Sequence, residues 1–82
     1  MWRKEQPVQF VIYNGGQAPE TWVRDISAVY GVSIVQIWGE TRPESLVVEV
    51  RGARAQADLR RKLTAIDSRL TMERVRHDQT VD

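Results

Sequence analysis

Few residues in this chain could do chemistry, and they are scattered. There is one histidine, His77, and no cysteine. A lone histidine without thiolate partners cannot make a transition-metal site unaided. The carboxylates are dispersed, with no paired spacing for general acid–base work and no nucleophile beside a base. The expectation is therefore no catalytic residue, no metal and no cofactor: a protein that is not an enzyme. The stretch that could bind something is Asn14-Gly15-Gly16, which precedes a helix start at Gln17-Ala18-Pro19-Glu20. Such a loop could hold a small anion or the polar end of a ligand. Two glycines also serve simply to let a chain turn, by taking positive φ cheaply.

The elements around that loop are legible. Val8–Gly16 opens as a strand, with Val8, Phe10 and Ile12 on one face and Gln9, Val11 and Tyr13 on the other. Both faces carry apolar groups, as in a central strand. Pro19 suits the first turn of a helix and Gly31 suits its end. Between them Trp22, Val23, Ile26, Val29 and Tyr30 make an apolar stripe, and Glu20 is spaced to pair with Arg24. Val32–Trp38 reads as a second strand and Ser45–Arg51 as a third, joined by a turn at Gly39–Glu44. A second helix spans Ala53–Ser68, opened by Gly52. Its stripe is Ala55, Leu59, Leu63 and Ile66, with Asp58 placed to pair with Arg54 or Lys62. Leu70–Arg76 is a short, charged edge strand.

The order β-α-β-β-α-β, with right-handed crossovers, predicts an α+β ferredoxin-like two-layer sandwich. Its four-stranded antiparallel sheet would run 4-1-3-2, with both helices on one face. Residues 1–82 form one domain, with 1–7 a leader and 77–82 a tail. A chain this short buries one modest core, hiding somewhat more than ~60% of its unfolded surface. No apolar run reaches the ~18–20 residues of a membrane span. The absence of cysteine fits a reducing, cytoplasmic setting.

Net charge is +1, which argues against a dedicated nucleic-acid binder. The distribution is uneven: residues 1–50 hold four Lys/Arg against six Asp/Glu, and residues 51–82 hold eight against five. That basic second half could favour an anionic partner or be a solvated helix face.

In a two-layer fold the second sheet face is uncovered. With Phe10, Ile12, Leu46, Val48 and Val50 under the helices, Val11, Tyr13 and Val47 fall on the open face, with Ile34 or Trp38 beside them. This predicts an apolar interface patch of Val11, Tyr13, Val47 and Trp38. The same topology serves RNA-recognition modules, which stack bases on aromatics of the central strands. Tyr13 could stack, but Ser45–Val50 offers no aromatic and adds Glu49. An RNA-binding module is the alternative reading.

From Val8 to Arg76 the chain resembles an ACT-like domain. The opening strand, the loop Asn14-Gly15-Gly16, the helix ending in Tyr30-Gly31 and the strand Val32-Ser33-Ile34-Val35 carry the resemblance. Within that group it is similar to the soluble C-terminal domain of MgtC/SapB-type membrane proteins. The resemblance implies a regulatory, ligand-sensing or oligomerisation domain of a larger protein. Asn14, Gly15 and Gly16 would line an effector site, and the partner would be a second copy or another domain of a parent chain. The acidic residue that amino-acid-binding members carry at the loop-to-helix start is absent from Asn14–Ala18.

Overall fold

The computed structural model describes residues 6–15, 18–39 and 41–75. The elements are β1 (Val8–Tyr13), α1 (Trp22–Ser27), β2 (Val32–Trp38), β3 (Ser45–Val50), α2 (Ala53–Ile66) and β4 (Thr71–Arg74). All pairings are antiparallel and the sheet order is β2-β3-β1-β4, the predicted ferredoxin-like arrangement. Strand β1 is central, paired with β3 on one side and β4 on the other.

The alternation of β1 and β3 places the core. Phe10, Ile12, Leu46, Val48 and Val50 are buried together with Trp22 and Ile26 of α1 and Ala55, Leu59 and Leu63 of α2. One set of strand residues meets both helices, so both helices cover the same sheet face. Leu63 is part of that layer. Leu63→Ala should therefore cost about 2–5 kcal/mol through lost burial and a residual cavity. A denaturant midpoint that barely moves would place the contact face of α2 elsewhere.

Helix α1 is shorter than its sequence pattern. It begins at Trp22, after Thr21, whose side chain makes no capping hydrogen bond. At its far end the bonding tightens: the Val29 amide donates to the Ile26 carbonyl and Val32 to Val29, three residues back in each case. Tyr30 therefore leaves the apolar stripe, because helical spacing no longer applies beyond Ser27, and it stands 93% exposed. Gly31, at φ +88°, turns the chain into β2 as a glycine should, three residues beyond the C-cap Ala28.

Local pairings also differ from expectation. Among the described residues the ion pairs are Arg61–Asp58 at 2.7 Å and Arg69–Asp67 at 2.9 Å. Asp58 is thus met from one helical turn later, three residues on, and not by Arg54 or Lys62. Glu20 makes no ion pair with Arg24; on the same turn the Thr21 hydroxyl donates to Asp25 at 3.2 Å. Helix α2 stops at Ile66 because Asp67 is extended, at φ −165° and ψ 124°. Residues 1–5 of the expected leader, and the tail with His77, lie outside the described residues.

Candidate functional site

The register decides which side chains share the open face. Ordered across the sheet, one row is Trp38, Ser45, Tyr13 and Thr71, and the next is Gln36, Val47, Val11 and Glu73. Trp38 is therefore the aromatic in the row of Tyr13, two strands away across Ser45. Ile34 pairs with Val48 and belongs to the helix side. The switch comes from a β-bulge between Ile34 and Gln36, which leaves Val35 unpaired and re-aims the rest of β2.

The expected patch is only partly wet. Tyr13 and Trp38 are about half exposed. Val47 is 8% exposed and Val11 is partly buried, in the interior of the sheet between longer row neighbours. The apolar surface continues instead at the sheet edge, where Val35 and Ile37 are also about half exposed. After the bulge Ile37 pairs with Leu46 and lies on the helix side, yet at the sheet edge it stays 48% exposed. One signal for this edge was in the sequence. A 4-1-3-2 sheet makes β2 an edge strand, and Val32–Trp38 carries no charge.

Asn14 does line a cleft. Its side-chain amide donates to the Pro43 carbonyl at 3.2 Å, and its backbone amide to Glu44 at 3.0 Å. The cleft holds about 320 Å³ and is walled by Ala18–Glu20, Trp22 and Thr41–Pro43 as well as Asn14. Gly15 lies apart from it. Its φ is not positive, and its role is space: a Cβ there would sit 2.7 Å from the Arg69 Cβ. Gly16 lies outside the described residues. The glycine loop does not run straight into a helix either, since α1 starts at Trp22 and its six residues offer little dipole.

Arg69 is held in turn by Asp67, whose carboxylate accepts from the Arg69 guanidinium at 2.9 Å and from its backbone amide at 2.9 Å. Those side-chain and backbone bonds pull the Asp67 carboxyl below its ordinary range. The clasp's contribution is therefore present above the ordinary carboxyl range and is lost as pH falls through the depressed value. It fastens the turn between α2 and β4, with the Arg69 side chain half exposed and the Asp67 carboxylate largely covered.

Among the described residues no group of three or more His, Cys, Asp or Glu could hold a metal ion. None of their helices is long and apolar enough to cross a membrane. No protein-family model matches the chain, and no curated protein or solved structure matches it at a significant level.

Proposed function

We propose that this chain is a non-catalytic association domain that pairs with a second copy of itself through the β2 edge. The carrying observation is the contrast between the two edges of the sheet. Strand β4 has four residues, and Glu73 and Arg74 on it guard against pairing. Strand β2 has seven residues, no charge, and Val35, Ile37 and Trp38 half exposed. A neutral edge can meet its own copy antiparallel without like charges opposing, and a two-fold axis would set each patch against itself. The bulge confines continuous pairing to either side of Val35. Tyr13, in the same row as Trp38, extends the contact onto the open face.

An ACT-like regulatory role is compatible with this reading, since such domains commonly associate. The ferredoxin-like fold itself hosts many functions and does not choose among them. The cleft beside Asn14 is where an effector would lie if the domain also senses one.

Sedimentation across a range of concentrations tests the proposal. The unmodified chain should move from monomer to dimer mass as concentration rises. Val35→Lys with Ile37→Lys should weaken that association by more than about 100-fold, because each charge is presented twice at the interface. Both positions are half exposed, so the circular dichroism should stay that of the parent. A parent chain that remains monomeric at high concentration ends the self-pairing idea.

A further inference from the structure

We infer that the seam between the C-terminal end of α1 and the outer flank of α2 binds single-stranded nucleic acid, with a base stacked on Tyr30. This surface is distinct from the β2 edge and does not depend on self-association. At 93% exposure, both faces of the Tyr30 ring are open to solvent. Isolated exposed aromatics are ordinary; what distinguishes this one is its setting. A groove of about 460 Å³ on one side of the ring is lined by Arg61 and Lys62, and one of about 370 Å³ on the other by Arg54 and the chain at Arg51–Ala53. Asp58 borders both grooves, but its carboxylate is occupied by Arg61 at 2.7 Å. Three cations of α2, Arg54, Arg61 and Lys62, against one carboxylate leave a positive strip with an open ring in its middle.

The dimensions suit a short strand. Arg54 to Lys62 is eight residues of helix, roughly 12 Å at 1.5 Å per residue. At ~3.4 Å per phosphate along a stacked strand, that meets three or four charges. The cations alone would attract any polyanion. The open ring favours bases over carboxylates, because every base offers a flat π-face and an acidic peptide offers none. The opposite layer is less suited: the charged strand residues on the open sheet face are Glu49 and Glu73, and the cation that the alternation adds there is Arg51, just beyond β3. In this fold the sheet is the usual place for stacked RNA bases. Here the charge distribution moves the site to the helical layer.

The test is fluorescence anisotropy of a labelled deoxythymidine decamer with the full chain. Saturable binding should appear at low salt, with affinity falling as salt rises at a log–log slope of about −2, from 0.7 per contact over three contacts. Tyr30→Ala should weaken it roughly 5- to 150-fold, the range for losing one stacked base. Arg54→Glu with Lys62→Glu should abolish it, and Tyr13→Ala should leave it unchanged. Absence of binding at low salt overturns the proposal. So does an unchanged affinity in Tyr30→Ala, which would reveal phosphate attraction without stacking. Equal competition by polyglutamate of matched charge also overturns it, in favour of an acidic-peptide surface.

Discussion

Trp22→Ala should lower the stability of this domain by about 3–5 kcal/mol, close to the whole margin of a chain this short. Trp22 is the first residue of α1 and is 1% exposed, in the same cluster as Ile26, Phe10 and Leu46. A six-residue helix has almost no stability of its own, because nucleating it costs more than so few hydrogen bonds return. It is held by what it buries, and Trp22 and Ile26 are its two buried residues. Trp22 also walls the cleft beside Asn14, so truncation would merge the new void with space that is already open. Little collapse is available to soften the loss. The melting midpoint should fall by at least about 12 °C, while Trp22→Phe, which keeps most of the volume, should fall much less. Equal midpoints for the two variants would mean that α1 is anchored by something other than this ring.

The same helix shows where the sequence could and could not be read. Strands β1 and β3 alternate cleanly, so the face containing Phe10, Ile12, Leu46, Val48 and Val50 was legible, and the sheet order followed from connectivity. A stripe of apolar residues does not say where helical geometry stops. Tyr30 fits the pattern of α1 by number, yet the chain has already tightened out of the α-helix at Ala28–Val29. The bulge at Val35 is invisible for a related reason. A period-two pattern with one residue inserted still looks like a strand, and only the pairing with β3 reveals which side Ile37 and Trp38 take. Val47 fails differently, since a branched side chain in the middle of a sheet is shaded by its neighbours even where no second layer covers it. The basic strip around Tyr30 was half visible, as the excess of Lys and Arg after residue 50. Its meeting with an aromatic from the end of α1 is a fact of packing.

Gly31→Ala should cost about 2–5 kcal/mol, and two separable effects make up that figure. Gly31 has φ +88°, where an L side chain costs roughly 1–2 kcal/mol. A Cβ at this position would also lie 2.8 Å from the Ala55 Cβ and 3.3 Å from the Arg51 carbonyl oxygen. Ala55 is buried on α2, so the clash cannot be relieved by a side chain swinging away, and overpacking of this kind costs roughly 1–3 kcal/mol. The Gly31 carbonyl accepts from the Arg51 amide at 2.9 Å, so the turn is tied to the entry of α2 and has little freedom to retreat. A double-mutant cycle with Ala55→Gly separates the two effects. Removing the Ala55 methyl should relieve the steric part and leave the dihedral part, giving a favourable coupling of about 1–3 kcal/mol by urea denaturation. Additive costs would show that the backbone angle alone forbids a side chain at Gly31. Tyr30 is the neighbouring residue, so the same cycle reports how firmly the α1–α2 seam is set.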